Sequence, residues 1–313
     1  MNKHLIDQVV EKMKSISSAE PLVVRAPGRI NLIGEHTDYN NGFVLPAAVD
    51  LSIYFAITKS GSNKCNVYSL DLDESFDFEI DKELVPQSVT WANYIIGVIS
   101  ELKKLDASLE GFNLVFGGDV PQGSGMSSSA ALECGLCLGM NELFDLGLDR
   151  EQMAKVSQAA EHNYVGVKCG IMDQFSSSVG EPGTALFLDT KTMAYEAAPE
   201  LAGYRFVVIE SGVRHSLTNS GYAERVDECK SACGALGVSS LRDVEDEAQL
   251  TALTSPLRLR ALHVLIDNRL AQEGLEALQS GDARTFGALM EASHASARDN
   301  YDITVPETDA IAA

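Results

Sequence analysis

The stretch "VPQGSGMSSSAALE", Val120 to Glu133, decides how the first half of this chain is read. Upstream, "FNLVFGGDV" (112–120) reads as a strand running into a turn, and downstream "SSSAALECGLCLGMNELF" (127–144) reads as a long apolar helix. Gly123 and Gly125 permit a tight backbone that a ligand can approach closely. Ser127, Ser128 and Ser129 then stand where the helix begins. A helix N-terminus offers free N–H groups and the positive end of a dipole, which together make an anion site. A bare Gly-x-Gly would read as an N-capped helix after a turn. The full Gly-x-Gly-x-Ser-Ser-Ser-Ala run at a strand–helix junction is more specific and points to phosphate. It is not a Walker A loop, since it lacks Gly-Lys-Ser/Thr.

Working outward, "PLVVRA" (21–26), "LSIYFAIT" (51–58), "CNVYSLDL" (65–72) and "SFDFEI" (75–80) read as strands, and "WANYIIGVISELKKL" (91–105) as a helix with one apolar face. "DREQMAKVSQAAEHNYVG" (149–166) is a further helix, and "TALFLDT" (184–190) and "YRFVVIESG" (204–212) are further strands. Beyond about residue 215 the pattern turns helical, in "GYAERVDECKSACGAL", "RLRALHVLIDNRLAQEGLEALQSG" and "ARTFGALMEASHASARD". "MNKHLIDQVVEKMKS" at the start is an amphipathic helix without the apolar middle of a signal peptide. The expected fold class is α/β (α+β), with an α/β domain over 1–195 and a largely helical one over 196–313.

Two polar stretches interrupt this pattern. "GRINLIGEHTDYNNGF" (28–43) packs Arg29, Asn31, Glu35, His36, Thr37, Asp38 and Tyr39 between apolar segments. Such groups are costly to bury unless each finds a partner. A structural turn with internal ion pairs would explain the polarity but not its density. "KCGIMDQFSSSVG" (168–180) sets Asp173 just after an apolar step, as a helix cap or as a positioned base. Glu161 on the preceding helix is equally open between a solvated position and a ligand.

The net charge of −21 over 313 residues argues against nucleic acid or an anionic membrane surface as partner. Local groups would therefore have to attract any anionic ligand. No apolar run is long enough to span a membrane. Six cysteines in a chain of this length suit a reduced cytoplasm, and Cys134 and Cys137 read as small apolar helix residues.

Taken together and in order, "APGRINLIGEHTDYNNGFVLPAA" (26–48), "WANYIIGV" (91–98), "VPQGSGMSSSAALE" and "CGIMDQFSSSVG" (169–180) resemble the galactokinases of the GHMP kinase superfamily. "NSGYAERVDEC" (219–229) and "EASHASARDNYDITVPETD" (291–309) extend the resemblance over almost the whole chain. The glycine–serine run departs mildly from the superfamily pattern, with Met126 in place of leucine.

The resemblance implies a two-domain architecture, with an N-terminal ribosomal-protein-S5-domain-2-like domain and a mostly helical C-terminal domain. It implies ATP-dependent phosphorylation of galactose at the C1 hydroxyl, with Mg2+, in the cytoplasm. Glu35, His36, Thr37, Asp38 and Gly170 would bind the sugar, with Tyr222 closing over it. Gly123, Ser124, Gly125, Met126, Ser127, Ser128 and Ser129 would wrap the ATP phosphates. Ser129 and Glu161 would hold magnesium. Ser69 and Trp91 would lie near the nucleotide, Trp91 with a core-aromatic role as the alternative. Asp173 would be the catalytic base, with Arg29 beside it. Other readings are a non-catalytic galactose and ATP sensor on the same fold, or a GHMP kinase for another sugar such as N-acetylgalactosamine. Family members also carry a third glycine-rich motif, G-G-x-R-M-T-G-G-G-F-G-G-C. None occurs up to Ala313, so the C-terminal domain is expected to be incomplete.

Overall fold

A computed structural model describes residues 1–105, 107–213 and 221–313. The chain forms two compact units that interleave in sequence: Met1–Arg29, Val49–Cys169 and Asp173–Val179 in the first, Ile30–Ala48, Gly170–Met172 and Gly180–Ala313 in the second. The sequence reading divides the chain linearly at residue 195. Packing instead assigns the polar loop of 30–48 to the unit that holds most of the C-terminal half.

The first unit is built on a five-stranded sheet. Its strands are β1 (Leu22–Asn31), β3 (Pro46–Lys59), β4 (Lys64–Ser69), β5 (Glu74–Glu79) and β6 (Phe112–Gly118), in the spatial order β1-β3-β6-β4-β5. β6 runs antiparallel to β3 and parallel to β4. The segment "IYFAI" is apolar at every position because both faces of β3 are covered. Tyr54 and Ala56 pack with Val9 and Met13 of helix α1 (Lys3–Ile16). Phe55 and Ile57 lie against α3 (Ser128–Phe144), whose Gly135 and Gly139 could not carry a Cβ without striking those two side chains. Helix α3 is apolar nearly all round, so it has to be enclosed. α2 (Ala92–Lys104) and α4 (Arg150–Ala160) pack on it and on each other. A π-helical turn, Glu161–Val165, continues α4, and α5 (Met172–Val179) follows.

The second unit holds a small sheet of β2 (Phe43–Val44), β7 (Thr184–Asp189) and β8 (Tyr195–Pro199) in the order β2-β7-β8. Its helices are α6 (Tyr222–Leu236), α7 (Leu257–Ser280), α8 (Ala283–Ser296) and the short α9 (Pro306–Ala312). α7 is the axis of this unit. One part of it packs with Leu32, Ile33, Leu45 and Phe286, another with Cys229, Leu241, Leu250 and Tyr301.

The strand expected over 204–212 does not form. Tyr204, Val207, Val208 and Ile209 are exposed, and among the described residues no strand lies alongside to accept their backbone hydrogen bonds. The helix α5 and the strand β8 are elements that the sequence reading does not include. In the motif at 219–229, Asn219 and Ser220 lie outside the described residues.

Candidate active site

The first unit gathers the phosphate-loop residues and the candidate base. β6 delivers the chain to the loop at 119–127, where Gly123 and Gly125 take φ of +70° and +78°. Both positions thus use a backbone conformation that costs glycine least. Ser127 takes φ +54° as the residue preceding α3, and its side chain makes no capping bond. The alternative reading, an N-capped helix, is therefore not what the loop builds. Ser127 instead donates its hydroxyl to Asp173 Oδ2 at 2.5 Å.

Asp173 stands in the first turn of α5. Arg29 Nε donates to its Oδ1 at 2.8 Å, and Nη2 lies 2.7 Å from the same oxygen. Arg29 Nη1 also donates to the Gly125 carbonyl at 2.5 Å, and its backbone N–H to the Met126 carbonyl at 3.1 Å. One guanidinium thus ties the candidate base to the glycine loop. The Asp173 side chain remains 25% exposed, so its carboxylate is reachable.

Glu161 is buried, with its carboxylate accepting from Gln174 Nε2 at 2.7 Å and from Ser129 and Cys169. Burial pushes it up to about 7, and the charge on Asp173 adds to that push. Behind it, Glu133 is fully buried and raised well above the usual carboxylate range, first by burial and then by Glu161. Gln174 Nε2 bridges the two glutamates, at 3.3 Å from Glu133 Oε2. Glu133 Oε1 and Gln174 Oε1 are buried acceptors without a hydrogen-bond partner among the described residues.

This oxygen-rich, electron-rich cluster fits a hard divalent cation. Among the described residues no three His, Cys, Asp or Glu converge as a self-sufficient metal cage.

Ser69 is buried at the end of β4, paired with Phe116 on β6. The Trp91 ring lies 5.8 Å from Phe116 and 6.3 Å from Phe76, and its Nε1–H donates to Glu74 at 2.7 Å. Both residues proposed for the nucleotide thus neighbour Phe116, on the strand that feeds the glycine loop.

The second unit gathers the polar loop. Glu35 Oε1 accepts from Asn31 Nδ2 at 2.9 Å. Asp38 accepts the backbone N–H of Tyr39 at 3.0 Å and of Met172 at 3.4 Å. Gly170 lies so close to the Asp38 carboxylate that any Cβ there would overlap it. The Tyr222 hydroxyl accepts the Gly170 N–H at 3.2 Å. His36 is in ring contact with Tyr222, Tyr39 and Tyr301, and its Nδ1 is 2.8 Å from the Tyr39 hydroxyl. Burial, then His263 and Arg225, push His36 down to about 3, so its imidazole is neutral. The structure therefore brings Glu35, His36, Asp38, Gly170 and Tyr222 together. Thr37 differs: it is fully buried and donates to the Gly34 and Phe43 carbonyls, so its hydroxyl braces the loop.

Sequence reasoning missed Glu133, Gln174, and the α7 residues His263, Asp267 and Asn268. A signal existed for three of them. Glu133 is the one charged residue in the middle of an apolar helix, and His263 and Asp267 repeat at i, i+4 in one.

The geometry has counterparts elsewhere. Residues 13–59 match the family model described as the galactokinase galactose-binding signature, and residues 93–181 match that of the GHMP kinases N terminal domain. A galactokinase from Roseiflexus sp. (strain RS-1) is 41% identical over 297 residues, which cover 92% of this chain and 75% of that protein. The crystal structure of Lactococcus lactis galactokinase complexed with galactose superposes with a TM-score of 0.89 and 33% identity, over 97% of this chain and 82% of that one. Methanococcus jannaschii mevalonate kinase shares the fold at a TM-score of 0.66 and 17% identity, over 94% of this chain and 84% of that one. Likeness this extensive, with a signature match that spans the polar loop itself, means that the chain belongs to the galactokinase family.

Proposed function

We propose that this chain is a galactokinase that transfers the γ-phosphoryl group of ATP to the C1 hydroxyl of galactose, giving α-galactose 1-phosphate and ADP. The observation that carries the reading is the array in which Arg29 and Ser127 both hold Asp173, with Arg29 also anchored to the glycine loop.

Phosphoryl transfer asks a protein mainly for positioning and charge stabilisation. The glycine loop and the N–H groups of α3 offer a cradle for phosphate oxygens. Arg29 carries a charge that survives any physiological pH and stabilises negative charge on the transferring group. Asp173 accepts the proton of the attacking hydroxyl on Oδ2, which has a second lone pair beyond the one Ser127 uses, while Arg29 holds Oδ1 with two N–H groups. Ser129 and Glu161 would hold Mg2+, which when bound neutralises the β- and γ-phosphates. Ser69 and Trp91 would flank the nucleotide.

In the second unit, Glu35, His36 and Asp38 would read the sugar. Carboxylates accept two hydrogen bonds in defined directions, and a neutral imidazole offers one donor and one acceptor. A site of this kind rejects a sugar whose altered hydroxyl leaves a buried group unpaired. Tyr222, which already orders Gly170, would pack over the ring.

A coupled ADP-release assay with galactose, glucose and N-acetylgalactosamine side by side tests the reading. ADP release dependent on galactose supports it. Binding of galactose and ATP without turnover would make the chain a sensor, and preference for N-acetylgalactosamine would move the substrate.

A further inference from the structure

Helix α7 grips the backbone of the polar loop. Asp267 Oδ2 accepts the Gly34 N–H at 3.2 Å, the Glu35 N–H at 2.8 Å and the Ser293 hydroxyl at 3.0 Å. The next residue, Asn268, accepts the Phe43 N–H on its Oδ1 at 2.8 Å. One turn earlier, His263 Nε2 lies 3.0 Å from the Glu35 carbonyl, and since a carbonyl only accepts, Nε2 carries the proton. Three side chains of one helix thus hold the loop at both ends, residues 34–35 at its entry and residue 43 at its exit. All three are buried.

The loop requires such a grip. Gly34, His36 and Asn41 all take positive φ, of +103°, +59° and +58°. Conformations of this kind cost the last two free energy and persist only where the surroundings enforce them. Gly42 fits only as glycine, because a Cβ there would strike Asn268 Oδ1 and Thr37.

Stability alone is a poor account of the grip. Burying a carboxylate costs more than its contacts commonly return. Burial pushes Asp267 up to about 7 despite its three donors, and its Oδ1 has no hydrogen-bond partner among the described residues. An apolar helix–loop contact would be cheaper. What a polar grip adds is direction, since each hydrogen bond fixes one backbone group in orientation as well as in place.

We infer that His263, Asp267 and Asn268 are positioning residues for sugar recognition, fixing the loop backbone so that Glu35, His36 and Asp38 present their side chains in galactose-selective geometry. This rests on the sugar-reading role proposed above for those three residues.

The test is titration calorimetry of the full chain with galactose, glucose and ATP separately, beside a thermal melt. The variants are Asn268→Ala, Asp267→Leu and Asp267→Asn. Asn268→Ala and Asp267→Leu should weaken galactose about tenfold or more, the scale of one lost hydrogen bond, with ATP affinity within about twofold of the parent. The preference for galactose over glucose should fall with it, which a role in stability alone would not produce. Asp267→Asn keeps an acceptor oxygen of the same shape and should restore most of the affinity and the preference. If Asp267→Leu does not fold, Asn268→Ala decides. A parent that binds no galactose overturns the functional reading and the inference with it. A parent that binds galactose while Asn268→Ala binds it equally well, or loses ATP to the same extent, overturns the inference alone.

Discussion

Arg29 and Asp173 stand 144 positions apart in sequence, yet the guanidinium lies 2.7 Å from the Asp173 carboxylate and at the same time on the Gly125 carbonyl. A charge that binds both the glycine loop and the proposed base makes their separation a fixed quantity. Positioning of this kind is where most of the rate in phosphoryl transfer arises.

Replacing Asp173, the proposed base, should therefore separate chemistry from binding. Asp173→Asn keeps the size of the side chain and an oxygen for Arg29, but removes the proton acceptor. Turnover should fall by about two to four orders of magnitude with galactose and ATP affinities nearly unchanged. Steady-state kinetics paired with calorimetric titrations would measure this, and an asparagine variant as fast as the parent would reduce Asp173 to a structural contact.

The cation site proposed at Ser129 and Glu161 predicts a different signature. Ser129 donates to Glu161, and burial holds Glu161 up to about 7, so the carboxylate is poised to gain from a cation. Ser129→Ala and Glu161→Ala should each raise the magnesium concentration needed for half-maximal rate, by about tenfold for the loss of one oxygen ligand. A magnesium titration at saturating ATP and galactose would show it. The same half-maximal concentration in both variants would return these residues to packing roles.

What the sequence made legible follows from how local each signal is. The glycine–serine run could be placed at a strand–helix junction because its flanks have clear periods, and β6 and α3 stand there. Glu35, His36 and Asp38 were visible as a dense polar run. The division of labour among the serines was not visible, because Ser127 turns to Asp173 only through a backbone twist of φ +54° and a partner 46 positions away. Thr37 was placed among the sugar residues by the family resemblance alone, since sequence does not show the two carbonyls that take up its hydroxyl. The grip of α7 was hidden for the same reason, since Asp267 lies more than 230 positions from the N–H groups it accepts. The segment 204–212 was read as a strand from its apolar β-branched composition, but strand formation needs a neighbour that composition cannot reveal.

Asp267 gives the fold a pH dependence with a definite sign. Its carboxyl is raised from 3.8 to about 7 by burial, so between those values the folded chain holds a proton that the unfolded chain has released. The stability it contributes is complete below about pH 4 and is lost as pH rises through about 7. Asp267→Asn removes this titration. Thermal melts of parent and variant at about pH 5 and about pH 8 should show a melting-temperature difference that shifts in favour of the variant at the higher pH. An identical difference at both would mean that Asp267 does not titrate in this range.

The loop itself supplies the sharpest separation. Asp38 is held by the N–H groups of Tyr39 and Met172 and sits against Gly170, all within the second unit. The glycine loop has partners in Arg29 and Asp173, in the first unit. If Asp38 reads a sugar hydroxyl, Asp38→Ala should weaken galactose by about ten- to a hundredfold, since a lost hydrogen bond to a charged acceptor costs about 1.5–3 kcal/mol. ATP affinity should stay within about twofold, because the glycine loop, Arg29 and Asp173 all belong to the first unit and Asp38 to the second. A role confined to bracing the turn predicts otherwise: the two backbone donors lose their acceptor, the melting temperature drops, and galactose is lost only in proportion to the folded fraction. Titration of each ligand at a temperature well below the variant's melt distinguishes the two. A folded Asp38→Ala chain that binds galactose as tightly as the parent would remove Asp38 from the sugar site.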